Sequence, residues 1–106
     1  MITRMAIFEG TVKPGRDAEM RSFVEGELAP LWRQFAGADE VRVLFASKLD
    51  PQGPVIPCIL QITYPNQAAI EQAMASPARH ISRDMLPEFY EQFFEDVCLY
   101  HYEFIS

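Results

Sequence analysis

Basic and titratable side chains gather in the segment SPARHISRD, residues 76–84, of a chain whose formal net charge is −6. Arg79 and Arg83 are four positions apart, so a helix would present both on one face. They could pair with acidic surface residues or bind a carboxylate or enolate of a substrate. Histidine is the side chain best suited to act as a general base near neutral pH, so His80 is a candidate base, but it could equally pair with Asp84 on an exposed helix face.

A second set of candidates lies near the C-terminus. His101 and Glu103 are two positions apart on a predicted strand, so both point to the same face of a sheet. This arrangement can orient an imidazole in a cavity, or it can be a buried histidine bonded to a neighbour. The sequence alone leaves open which strand face meets a cavity. The candidate substrate-binding residues are Trp32, Arg83, Phe89 and Tyr100.

Several of these side chains also have a purely structural interpretation. Phe89 belongs to an aromatic stripe with Tyr90, Phe93 and Phe94, and such a stripe is typical of core packing against a sheet. Trp32 lies one step off an apolar helical stripe and could simply cover the helix end. The two cysteines, at positions 58 and 98, form no CxxC pair, so we predict small buried apolar groups without a disulfide.

Length and charge exclude several classes of function. A chain of 106 residues makes one domain, residues 1–106. Nine Lys and Arg stand against 15 Asp and Glu, which argues against nucleic acid and against an anionic membrane surface as partners. No apolar run approaches the ~20 residues of a membrane span and no signal-peptide pattern is present, so the expected location is the cytoplasm. No phosphate loop or metal-ligand spacing appears, so no cofactor and no metal are predicted.

Hydrophobic patterning predicts the elements of the first half of the chain. Residues 2–12 read as a strand. The break KPG then precedes a helix over residues 16–35, whose apolar positions recur every three or four residues. Pro30 is expected to kink or end this helix. Residues 40–49 and 55–64 are rich in β-branched and apolar residues and predict two further strands.

The second half begins with a helix over residues 66–75, for which Asn66 is the expected N-cap. Ser76 and Pro77 predict a restart, with the serine side chain as cap and the proline in the first turn. A further restart at Pro87 gives a helix over residues 87–96. Residues 97–105 then form the last strand.

The predicted order is strand, helix, strand, strand, helix, strand, which is the split βαβ pattern of an α+β ferredoxin-like sandwich. Its four-stranded antiparallel sheet carries helices on one face, yet both faces of the third and last strands bear apolar side chains. An apolar sheet face open to water is a liability in a monomer. We therefore predict a homodimer through the sheet face, with a cavity between each sheet and its neighbours.

Two junctions of the chain resemble those of the antibiotic biosynthesis monooxygenase family. VKPGRDAEMRSFV, residues 12–24, is similar to the family's first strand-to-helix junction, where a Pro-Gly turn precedes an amphipathic helix. QITYPNQAAIEQAMASPARH, residues 61–80, is similar to the second junction, where a strand ending in an aromatic residue leads into a helix and a Ser-Pro step. EthD-like proteins share this layout. The resemblance implies a dimeric α/β barrel.

The resemblance also implies a chemistry. Some members of the family act on small electron-rich aromatic or polyketide-like molecules with O₂ and without metal or flavin. For this chain it implies His80 or His101 as the base and Tyr64, which stands where members often have Trp, as a donor. The alternative is a non-catalytic binding or carrier protein of the same fold. Haem degradation ranks third, because residues 1–12 lack the asparagine that haem-degrading members use beside a helical histidine.

Overall fold

The computed structural model describes residues 1–106 as one four-stranded sheet with helices packed on it. In chain order the elements are β1 (Ile2–Val12), α1 (Asp17–Phe23), a π-helical turn (Val24–Leu28), α2 (Ala29–Trp32), β2 (Glu40–Phe45), β3 (Cys58–Tyr64), α3 (Gln67–Met74), α4 (Pro77–Asp84), α5 (Leu86–Phe93) and β4 (Phe94–Ile105). No helix is both long and apolar enough to cross a bilayer.

The strands lie in the order β2-β3-β1-β4, and every neighbouring pair is antiparallel. This is the ferredoxin-like α+β arrangement, so the predicted fold class is confirmed. Side chains alternate along each strand, and the even-numbered residues of β1 face the helices. We call the opposite side the open face. Its apolar and aromatic side chains include Met5, Ile7, Ile59, Tyr100, Tyr102 and Phe104.

The first helical segment is continuous but changes its winding before Pro30. Proline has no amide hydrogen, so it cannot donate to the Gly26 carbonyl as a regular α-helix would require. The turn ahead of it, Val24–Leu28, is accordingly π-helical. The predicted irregularity is therefore present, whereas the helix ends at Trp32 rather than at residue 35.

The two caps predicted for the second helical region differ in outcome. Asn66 caps α3 as expected, because its Oδ1 accepts a hydrogen bond from the Ala69 amide at 2.9 Å. α4 begins at Pro77 as expected, but the Ser76 side chain does not cap it. Its hydroxyl is buried and donates instead to the Ala73 carbonyl at 2.7 Å, so it binds the end of α3.

The strands differ from the prediction at their ends. β2 stops at Phe45 rather than at residue 49. β3 begins directly after Pro57, because proline lacks the amide that the sheet ladder needs. β4 begins at Phe94, inside the predicted helix, because the chain there already pairs with Val12 of β1 across a bulge. The acidic residues after Phe94 are therefore part of a strand.

The core lies between the helix-facing side of the sheet and the helices. Its largest fully buried side chains are Tyr64, Phe8, Phe89, Met20, Leu28, Val24 and Cys58. Burial raises the pKa of Cys58 to about 12, so this residue remains a thiol. Cys98, which was also predicted to be buried, is exposed, because its position in β4 places it on the open face. Both thiols are free.

Candidate functional site

A cavity of about 300 Å³ lies between the sheet and the helices. Most of its wall is apolar, and this apolar part includes Trp32, Phe35, Leu60, Met74, Leu86 and Leu99. The remaining side chains can donate hydrogen bonds or carry charge. This polar lining consists of Arg4, Tyr64, Arg79, Ser82, Arg83 and His101.

The strand register assembles the floor of the cavity. Arg4 lies opposite Glu103 of β4, and Ala6 lies between Leu60 of β3 and His101 of β4. All of these residues share the helix-facing side of the sheet. Ala6 contributes only a methyl group at the centre of this row, and the space that a larger side chain would fill belongs to the cavity.

Tyr64 contributes a buried hydroxyl to the polar lining. The residue is fully buried, and its hydroxyl has no hydrogen-bond partner in the chain. Burial raises the pKa of Tyr64 to about 12 against the opposing effect of Arg4, so the group stays protonated at neutral pH. Arg4 itself is engaged, because its Nη1 donates to Glu103 Oε2 at 2.7 Å. The tyrosine is thus a free hydrogen-bond donor.

His101 lines the cavity from β4. Desolvation is the largest of the effects that lower its pKa below the ordinary value of 6.5, and the nearby charges of Arg4 and Arg79 act in the same direction. Glu103 opposes them. The imidazole is therefore neutral at pH 7 and can accept a proton.

Helix α4 supplies the other wall of the polar lining through Arg79, Ser82 and Arg83. The i,i+4 spacing of the arginines places both on the cavity side, as their common helix face predicted. Neither guanidinium forms an ion pair with a carboxylate of the chain, so the expected pairing with acidic surface residues does not occur. The Ser82 hydroxyl donates to the Arg79 carbonyl at 3.0 Å.

The structure places three sequence-predicted site residues away from the cavity. His80 is exposed and is not part of the lining, and it forms no ion pair with Asp84. Tyr100 lies on the open face and donates to Glu9 Oε1 at 2.8 Å, a bond that raises the pKa of Tyr100 to about 12. Phe89 is fully buried in the aromatic core, where it packs edge-on against Phe8 with ring centroids 6.0 Å apart.

The other four predicted residues, namely Tyr64, His101, Trp32 and Arg83, line the same cavity. Sequence reasoning missed two residues of the polar lining, Arg4 and Ser82, and most of the apolar wall. Arg4 is the charged one of these. One indication was available: a charged residue in the otherwise apolar strand segment ITRMAIF shares the parity of Ala6 and Phe8, which point into the core.

The donor set of the polar lining determines what the cavity can hold. No group of three or more His, Cys, Asp or Glu residues comes together in the chain as a metal site would require. The polar lining instead offers guanidinium groups, a phenolic hydroxyl and a neutral imidazole. These groups suit a ligand that combines an apolar body with an acidic or anionic oxygen.

Solved structures with the same architecture cover nearly the whole chain. One is an EthD family protein from Bacillus halodurans, with TM-score 0.69, 19% identity and 99% coverage of both chains. Another is an antibiotic biosynthesis monooxygenase, with TM-score 0.57, 15% identity and full coverage of both chains. The chain shares their fold. Proteins of the two kinds that the junctions resemble are thus among the structural neighbours.

A third neighbour bears on assembly. It is a dimeric protein of unknown function with a ferredoxin-like fold from Bacteroides fragilis, with TM-score 0.56, 14% identity and coverage of 97% of this chain and 96% of the other. No protein-family model and no curated protein matches the sequence. At these identities the likeness describes the fold.

Proposed function

We propose that the protein is a cofactor-independent monooxygenase that oxidises a small electron-rich aromatic or polyketide-like molecule in this cavity. The observation that carries the proposal is a neutral imidazole, His101, on the same apolar cavity as the unpartnered hydroxyl of Tyr64. Such chemistry requires two groups from the protein: a base, and a hydrogen-bond donor that stabilises the developing oxyanion.

In the proposed reaction, His101 removes a proton from an acidic CH₂ group that is conjugated with a phenol or ketone. The carbanion transfers an electron to O₂, and the two radicals combine to form a C–O bond. The peroxide takes back the proton and loses water, which leaves C=O. The carbon thus gives four electrons to O₂, one oxygen atom enters the product and the other leaves as water. Tyr64 and the arginines stabilise the negative charge on the substrate oxygen.

The same proposal includes a homodimer through the open face. That face carries aromatic side chains at the C-terminal end of β4, and Tyr102 and Phe104 are each 53% exposed in the single chain. Aromatic groups arranged in this way are typical of a protein interface. The dimeric neighbour with the same fold supports this assembly. The cavity lies on the other side of the sheet, between the strands and the helices of one chain.

A binding or carrier protein is the second candidate. The cationic and donor groups of the polar lining can retain an acidic ligand without turning it over. Haem degradation has less support. His80, the histidine that this chain carries on a helix, lies outside the cavity, and residues 1–12 lack the asparagine that haem-degrading members use.

Oxygen uptake tests the proposal with a panel of anthrones, quinols and catechols. We expect wild-type protein to consume O₂ with the anthrones, which carry the acidic CH₂ group that quinols and catechols lack. His101→Gln should lower that rate by about 100-fold, a typical contribution of a general base. His80→Gln is the matched control, because His80 is exposed outside the cavity, and it should retain full activity. Ligand binding without uptake in wild-type protein would favour the carrier. Equal rates in wild type and His101→Gln would remove His101 as the base.

A further inference from the structure

We propose that the ligand of this cavity carries a carboxylate, which Arg79 and Arg83 bind while its aromatic part contacts the apolar wall. This inference rests on the proposed function and narrows its substrate class to aromatic acids. It starts from the charges of the polar lining, which contains three arginines and no acidic residue.

The three arginines differ in their partners. Arg4 is neutralised by Glu103 at 2.7 Å, while Arg79 and Arg83 have no carboxylate partner. The chain has 15 acidic residues for nine basic ones, so partners are plentiful elsewhere on its surface. Two like charges four positions apart on one helix face repel each other, and an anion between them would offset that repulsion. An anion in the cavity would meet both guanidinium groups, and planar guanidinium groups match a carboxylate well.

Tyr64 gives independent support for a ligand oxygen in this cavity. A buried hydroxyl without a partner is unfavourable, and most such groups are satisfied by protein, water or ligand. The Tyr64 hydroxyl has no acceptor in the chain although the residue is fully buried and lines the cavity. Glu103 is the carboxylate whose charge acts on Tyr64, but it already forms an ion pair with Arg4. An oxygen of the ligand would complete the bond.

The volume of the cavity limits the size of the ligand's aromatic part. A volume of about 300 Å³ lies at the lower end of the range for small-molecule sites, which favours a compact ring system. The apolar wall of the cavity includes Trp32 and Phe35, which suit an aromatic face. The inferred class is therefore compact aromatic carboxylates.

A matched pair of ligands tests this inference: 2-naphthoate and its neutral amide, 2-naphthamide. Trp32 is the only tryptophan of the chain and lines the cavity, so its indole N–H gives a single NMR signal that reports binding. We expect naphthoate to bind wild-type protein at least tenfold more tightly than naphthamide, in line with a charge-assisted pair. The double variant Arg79→Gln/Arg83→Gln should lose this preference, and Arg33→Gln, which changes an exposed arginine outside the cavity, should keep it.

Equal affinity for the two ligands, no binding of naphthoate at millimolar concentration, or a preference that survives the double variant would each overturn the inference. If the double variant does not fold, Arg83→Gln alone, at an exposed position, should weaken the preference for naphthoate, and an unchanged preference would count against the inference. The outcome is separable from that of the oxygenase proposal. A preference for naphthoate without any O₂ uptake leaves the carboxylate site and removes the oxygenase. O₂ uptake with neutral anthrones but no preference for naphthoate over naphthamide would keep the oxygenase and remove the carboxylate site.

Discussion

His101 is surrounded by charges that disfavour its protonation. Desolvation and the charges of Arg4 and Arg79 lower its pKa below 6.5. If neutral His101 is the base, kcat/KM should rise with pH as the imidazolium loses its proton, with a midpoint below 6.5 and a plateau at neutral pH. Arg79→Gln removes one repelling cation, so the midpoint should move upward, whereas Arg33→Gln should leave it in place. A pH–rate profile with a wild-type midpoint at or above 6.5 would contradict this role.

The residues of the candidate site were predictable to different degrees. Strand alternation placed His101 and Glu103 on one face, and helical spacing placed Arg79 and Arg83 together. Arg4 escaped notice because its partner, Glu103, lies 99 residues away in sequence and meets it only through the pairing of β1 with β4. Helical position alone also could not show that His80, next to Arg79, points away from the cavity.

At the scale of elements, the contact between β1 and β4 depends on Gly10. A Cβ added there would collide with the backbone carbonyl of Asp96, which cannot move without breaking the strand pair. We expect Gly10→Ala to lower the free energy of unfolding by more than about 2 kcal/mol, as other severe steric changes do. Chemical denaturation measures the loss.

Gly26 is the matched control for that substitution. It lies in the π-helical turn, and an added Cβ would meet no atom within 4 Å. Gly26→Ala should therefore raise the free energy of unfolding by up to about 1 kcal/mol, because alanine loses less conformational entropy in a helix. Similar destabilisation by both substitutions would argue against the steric explanation for Gly10.

Element order was more predictable than element ends. Hydrophobic period and turn residues are local properties, so the order of strands and helices followed from them. The start of β4 at Phe94 depends instead on pairing with Val12, a contact between distant parts of the chain. The widened turn before Pro30 likewise depends on which carbonyl loses its donor, a detail that the hydrophobic pattern does not record.

At the scale of the whole molecule, the aromatic side chains of the open face predict a dimer in solution. A homodimer through this face should give a mass twice the 12.1 kDa of the chain in light scattering. Tyr102→Glu places a charge among the aromatic groups of the face and should yield monomers. Ile81→Glu is the control, because Ile81 is 52% exposed on α4, close to the 53% of Tyr102. Dissociation by both variants, or a monomeric wild type, would contradict the proposed interface.

Ala6 occupies a central strand that is hydrogen-bonded on both sides, so its backbone is held while its side chain faces empty space. The size of the side chain at this one strand position therefore limits the depth of the cavity. A longer apolar side chain in place of this methyl group would reduce the volume available to a ligand. The arginines, the tyrosine and the imidazole would keep their positions. Substitution at this one position would therefore change which ligands fit while the polar groups that bind them stay the same.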